Sequence, residues 1–212
     1  MAARTAAAAT TPGRANQKLR TRNAILQAAA ELSRTGREVT MPEVAKAAMV
    51  SEATAYRYFP DLASLLQEAI AGQLPAPEEA LAPLPDSADP VERVAAVTEF
   101  LLRHVLSRQG AVRALIAATI TRPGQASARP GLRFGLIDSA LAPIEGVADP
   151  ARLAQLKRDL AVVVSAEALF TLTDACGLDA EEAIASIVRT ATALTRGYDE
   201  RCAMGDEMRR DG

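Results

Sequence analysis

Between Glu52 and Tyr58 the chain reads EATAYRY, placing Thr54, Tyr56, Arg57 and Tyr58 within one and a half helical turns. Hydroxyls, phenols and a guanidinium in that order suit recognition better than turnover. An arginine fork fits O6 and N7 of guanine, a contact worth about 1–3 kcal/mol of discrimination. Hydroxyl and phenol groups suit phosphate oxygens, which position a protein without reading bases. Glu52, Thr54, Tyr56 and Arg57 are therefore expected to point outward towards DNA, with Arg57 the candidate for pairing with guanine. Tyr58, with Thr40 and Ser51, is expected at phosphates. Arg14, Lys18, Arg20 and Arg22 form a basic run upstream, suited to lying on DNA phosphates. The blander alternatives are that Tyr56 and Tyr58 pack inward and that the basic run is a solvated face.

Catalytic chemistry has less to work with. There is no HExxH, no nucleophile elbow and no Gly-rich phosphate loop, and His104 is the only histidine. Cys176 and Cys202 are far apart and lack a CxxC partner, which argues against a zinc site or a disulfide framework. The expectation is a non-enzyme with no metal and no cofactor. For an apolar small-molecule ligand the candidates are Phe100, His104, Phe134, Ile137, Glu167 and Phe170. Glu167 sits in an otherwise apolar run, so it must be paired, protonated or near solvent. Each of these has an ordinary alternative as a core or rim residue.

The elements that must position these groups are helices. Thr40 with Glu43 is a capping box, and Pro42 falls in the first turn, where its missing N–H costs nothing. Ala48-Met49-Val50 reads as a turn, and Ser51 as the N-cap of the next helix. In that helix Ala55, with Phe59 just after it, faces inward. Phe59-Pro60-Asp61 ends it and caps a further helix from about 62 to 74, with Leu65, Leu66, Ala69 and Ile70 inward. A first helix from about 17 to 34 carries the stripe Ile25, Ala28, Ala29 and Leu32. Residues 1–16, rich in Ala and Thr, are expected to be a disordered arm.

Beyond a Pro-rich connector at 75–85, the pattern gives a helix opening at Asp89-Pro90 and separated by Gly110 from the next, then helices at 111–121, 130–144, 150–176 and 179–201. The expected fold is all-α with about nine helices. A three-helix, helix-turn-helix DNA-binding domain at 17–60 precedes a ligand-binding and dimerisation domain at 61–212, with 61–74 as connector. Residues 160–172 are apolar on nearly every side, so that helix needs burial on more than one face. Pairing of 150–176 and 179–201 with their copies in a two-fold homodimer would supply it. No run is long and apolar enough to span a bilayer, and no secretory signal is apparent, so the expected location is cytoplasmic.

The run AMVSEATAYRYFPDLASLL resembles the DNA-binding signature of the TetR family of bacterial transcriptional regulators, G-V-S-x-x-T-x-Y-x-(H/Y)-F-x-x-K-x-x-L. The likeness covers about residues 18 to 70. Met49 stands where a turn Gly is usual, so the turn should be one that an ordinary residue tolerates. Leu62 stands where a phosphate-contacting Lys is common. The resemblance implies a repressor that binds double-stranded operator DNA, with a C-terminal domain that takes a small, largely apolar effector and shifts the 61–74 helix.

Charge agrees with that division. Residues 1–60 hold nine Lys/Arg against four Asp/Glu, and residues 61–212 hold fifteen against twenty-two. A polyanion is drawn to the N-terminal end only. The alternatives are a helical dimer that binds a protein partner, and one that acts on a small hydrophobic substrate, neither binding DNA.

Overall fold

The computed structural model describes residues 12–71, 75–121 and 131–210, with side chains placed at 13, 15–71, 75–121 and 131–198. Every regular element among them is a helix. Residues 1–11 of the expected arm lie outside the described residues, as does Cys202's side chain.

Helix α1 (Pro12–Ser33) starts earlier than its apolar stripe suggests. Proline in the first turn is the reason: its φ is already helical and its missing N–H would have been unpaired anyway. The helix buries Ile25, Ala28, Ala29 and Ala30 and stops where Gly36 turns left-handed at φ 69°. Helix α2 (Met41–Ala47) carries the capping box: the Thr40 N–H donates to Glu43 Oε2 at 3.0 Å, and the Glu43 N–H to Thr40 Oγ1 at 3.5 Å. Helix α3 (Glu52–Tyr58) is capped by Ser51 Oγ, which accepts from the Thr54 N–H at 3.2 Å.

The turn between α2 and α3 corrects one expectation. It keeps the left-handed geometry that favours glycine, and Met49 occupies it at φ 54°. A side chain there costs roughly 1–2 kcal/mol. Met49 is 92% exposed, so no contact of its own offsets that cost. The surrounding caps and the packing of α2 on α3 hold the turn.

Phe59 leaves the helix at φ −134°, ψ 109°, as the residue before a proline must. Asp61 Oδ1 then accepts from the Ser64 N–H at 2.8 Å and starts α4 (Leu62–Ala71). A first core gathers Ile25, Val44, Ala55, Phe59, Leu65 and Leu66, and two residues from far along the chain, Ala111 and Leu115, complete it. Leu62 packs on its edge.

The segment expected as a connector contains a short helix, α5 (Pro77–Leu81), whose Ala80 is buried in the second core. Glu79 Oε1 accepts from the Ala76 N–H at 3.1 Å, so a Pro-rich stretch still gains one capped turn. Then follow α6 (Pro90–Ser107), α7 (Gln109–Thr121) and α8 (Leu132–Leu141), with a 3₁₀ turn at Ala142–Ile144. The loop expected at 122–129 lies outside the described residues.

The expected single helix at 150–176 is three pieces: α9 (Pro150–Val163), α10 (Ala166–Phe170) and a π-helical turn at Thr171–Ala175. The break is at Ser165, extended at φ −148° and ψ 155°. Its Oγ caps α10 by accepting from the Ala168 N–H at 3.1 Å, and it donates to Val162 O at 2.8 Å. A serine offers this local alternative to the helical ladder, and the three valines before it hold the helix weakly. Gly177 turns left-handed at φ 71°. Helix α11 (Ala180–Arg210) runs beyond the expected end at 201. Helices α5, α6, α8, α9, α10 and α11 enclose the second core, around Leu102, Leu136, Leu141, Leu160 and Leu169. No helix among the described residues is long and apolar enough to cross a membrane.

Candidate nucleic-acid interface and effector cavity

Helix α3 buries only Ala55. Ser51, Glu52, Tyr56 and Arg57 are exposed, Tyr56 at 49%, while Thr54 and Tyr58 are half-buried. A helix this short holds its place through its two anchors, Ala55 and Phe59, and through its N-cap. Its remaining face is open. The Arg57 guanidinium lies 5.7 Å from the Tyr58 ring centroid, a cation–π contact that steadies the long side chain at the surface. Tyr58 also packs on the edge of the first core. It joins the helix to its support while keeping a face beside Arg57.

An open groove runs between α3 and the start of α1, lined by Lys18, Thr21, Val50, Thr54, Arg57 and Tyr58. Of the residues the sequence singles out for DNA, Lys18, Thr54, Arg57 and Tyr58 are thus brought together. Lys18 and Arg20 are exposed. Arg22 is engaged within the protein: its Nη2 meets Glu68 Oε2 at 2.6 Å, and its guanidinium lies 5.0 Å from the Phe59 ring centroid. It therefore braces α1 against α4 and the end of α3. The Thr40 hydroxyl is also occupied, donating to Glu43 Oε2 at 2.8 Å. Glu52 stands in the first turn of α3, where the helix dipole favours a negative charge.

The second feature is a cavity on the seam between the two cores. Its walls include Ile70 and Leu115 from the first core, and Leu101 and Val105 from the second. About 140 Å³ of it is open to the centre of a water molecule. His104, Phe134 and Glu167 line it, as the sequence suggests, with Phe134 52% exposed. Phe100, Ile137 and Phe170 do not. Ile137 and Phe170 are buried in the second core, and Phe100 packs against its outside. Phe170 also lies beneath Arg113, whose guanidinium sits 3.8 Å from the ring centroid and pairs with Asp174 of the π turn.

Sequence reasoning missed the cavity's other polar groups, Arg108, Arg133 and Ser165. Arg108 closes α6 four residues after His104, about one turn further on, and that spacing could have signalled it. Arg133 Nη1 pairs with Glu167 Oε2 at 3.5 Å, which answers how an acid survives in that apolar run. Burial holds the His104 imidazole neutral, with its pKa pushed down to about 4. The positive charge of Arg108 adds to that, and Glu79 partly opposes it. Arg108 itself is lowered from the usual guanidinium value, by burial first and then by Arg34 at the end of α1.

The cavity wall reaches the first core along a second path. The Gly110 N–H donates to Gly36 O at 3.3 Å, so the start of α7 rests on the α1–α2 loop. A Cβ on Gly110 would stand 1.9 Å from Arg37 O. Only glycine permits that approach.

Residues 25–69 match the family model described as "Bacterial regulatory proteins, tetR family". This segment carries a TetR-family domain. The matched residues span the C-terminal part of α1, all of α2 and α3, and most of α4. No curated protein matches the chain. Two crystal structures share its fold. A TetR transcriptional regulator from Rhodococcus sp. RHA1 has a TM-score of 0.52 at 24% identity, over 84% of this chain and 97% of that one. A tetR-family transcriptional regulator from Streptomyces coelicolor has a TM-score of 0.59 at 22% identity, over 90% of this chain and 87% of that one. The matched segment holds the helix-turn-helix pair α2 and α3, and the seam cavity lies wholly outside it. Among the described residues no three His, Cys, Asp or Glu side chains stand close enough together to hold a metal ion.

Proposed function

We propose that the chain is a homodimeric repressor, released from its operator when a small, largely apolar effector fills the seam cavity. The observation that carries this is the pairing of an unoccupied α3 face with a cavity walled by both cores. In this reading 17–60 is the reading head and 61–212 the ligand-binding and dimerisation domain, with 61–74 connecting them. Arg57 reads guanine, with Glu52, Thr54 and Tyr56 at neighbouring bases. Ser51, Tyr58, Lys18 and Arg20 meet phosphates, and Thr40 supports them as the cap of α2. Arg22 serves by holding α1 on α4.

The dimer uses 150–176 and 179–201. Supporting this, Val163, Ala168, Leu172 and Ile187 line a groove between those stretches, and Val162 beside them is 74% exposed. Two-fold symmetry would set two α3 helices about 34–36 Å apart, one helical turn of DNA. An effector releases DNA only if it binds the DNA-incompetent arrangement more tightly than the competent one. Opening the seam meets that condition, because Ile70 of α4 and Leu115 of α7 would have to move with the ligand. Location in the cytoplasm follows from binding operator DNA.

Arg57→Ala should weaken specific operator binding by about 1–3 kcal/mol, roughly fivefold to a hundredfold, while the dimer persists. Gel-shift titration at fixed salt, beside sedimentation of the same sample, checks both. Unchanged operator affinity would remove α3 as the reading element.

A further inference from the structure

We propose that the effector is a small monocarboxylic acid whose apolar body is about the size of one aromatic ring. This rests on the reading of the seam cavity as the effector site and adds the chemistry of what fills it. Size comes first. The 140 Å³ open to a water centre is close to the roughly 150 Å³ of an engineered apolar cavity that takes up benzene. Leu101, Val105, Val112, Leu115 and Ile116 give it an apolar wall.

Charge comes second. Arg108 and Arg133 line the cavity against one carboxylate, Glu167, and the imidazole of His104 is neutral. The described lining residues therefore carry one net positive charge in largely apolar surroundings, where an occupant with a single negative charge is favoured over a neutral or cationic one. A dianion such as a phosphate monoester would exceed that charge.

Hydrogen-bond polarity comes third. Arg108 Nη1 lies 3.4 Å from His104 Nδ1, and a guanidinium has only donors. Nδ1 therefore accepts, and the ring proton sits on Nε2. That Nε2 is buried with no hydrogen-bond partner among the described residues. A donor of this kind beside a guanidinium favours a ligand that brings acceptor oxygens. A carboxylate offers two, in a plane that matches the guanidinium fork. An amine head would find Glu167 already paired with Arg133.

Phenylacetate, phenylacetamide and phenethylamine share one body and differ in head charge. We expect calorimetric titration of the full chain, at fixed pH and salt, to show the acid binding at least about tenfold more tightly than the amide. The amine should bind more weakly than either. The acid should also shift the NMR signals of the single imidazole. Arg108→Gln should erase the preference for acid over amide, and Arg108→Lys, which keeps the charge, should retain part of it. If Arg108→Gln does not fold, the three probes on the unaltered chain decide the matter alone. Equal affinity for acid and amide would overturn the acid head and leave the cavity as a site for a neutral effector. Tighter binding of the amine would overturn it in favour of Glu167 as anchor. Failure of all three to bind, or binding that leaves the imidazole signals unmoved, would overturn both this inference and the cavity's role as effector site.

Discussion

Two hydrophobic cores divide the molecule, and their members lie at different distances along the chain. All but two side chains of the first core come from the stretch between Ile25 and Ile70. The second draws on positions from Ala80 to Tyr198. The first also relies on alanine: Ala28, Ala29, Ala45 and Ala55 let α1, α2 and α3 approach closely, and Phe59, Leu65 and Leu66 supply the bulk. The second is built mostly of leucine, isoleucine and valine. A core assembled from neighbours can be read from caps and spacing. A core assembled from distant helices cannot, because nothing local states which helix lies opposite which. The same contrast separates the two candidate sites: α3 is a continuous stretch, and the cavity joins residues from 70 to 167.

Cutting into each core in turn probes this division most strongly. Leu66→Ala and Leu102→Ala each remove a fully buried side chain and should each cost about 2–5 kcal/mol. Hydrogen exchange should show the Leu66 variant losing protection mainly in α1–α4 and the Leu102 variant mainly in α6, α8 and α11. Equal loss everywhere in both variants would show that the cores unfold as one.

Next in size is the joint between them. Gly110→Ala places a methyl against the carbonyl of Arg37 and should cost about 1–3 kcal/mol by overpacking. Since Ala111 and Leu115 of α7 belong to the first core, the loss should appear in the head as well as the body. Thermal unfolding followed by residue-resolved exchange checks this.

Met49→Gly should raise stability by about 1 kcal/mol, because the left-handed turn then carries no Cβ strain. The gain should be confined to the head and visible in the denaturant midpoint. Loss of stability would mean that the methionine side chain contributes a contact after all.

The smallest effect is a pH dependence in the body. His104 has its pKa lowered to about 4 from 6.5, so the unfolded chain takes up the proton first as pH falls. Stability is therefore fullest above about pH 6.5 and declines as pH falls towards 4. The ring is only partly buried, so solvent screening keeps the slope shallow. With a single histidine in the chain, its NMR titration reports this directly. A midpoint near 6.5 would contradict the burial.

Several features were legible before any coordinates. The Thr40–Glu43 box, the Ser51 cap and the Phe59-Pro60-Asp61 stop all declare themselves within a few residues, and each stands where expected. The open face of α3 was legible too, because polar side chains crowd it and only Ala55 is buried. The turn at Met49 is not legible in this way. Its left-handed backbone is imposed by the two helices it joins, not by the residue that occupies it.

What the sequence determined by itself was the local order of this protein: which stretches are helical, where most begin and stop, and which short helix leaves its polar face free. Those outcomes depend on backbone N–H groups and side chains a few positions apart. Only the tertiary structure decided the rest: that Arg22 braces α1 on α4, that Ser165 breaks a helix in two, and that Arg108 and Arg133 meet His104 and Glu167 around one cavity. Such meetings are set by which apolar faces bury one another, and burial carries no record of position along the chain.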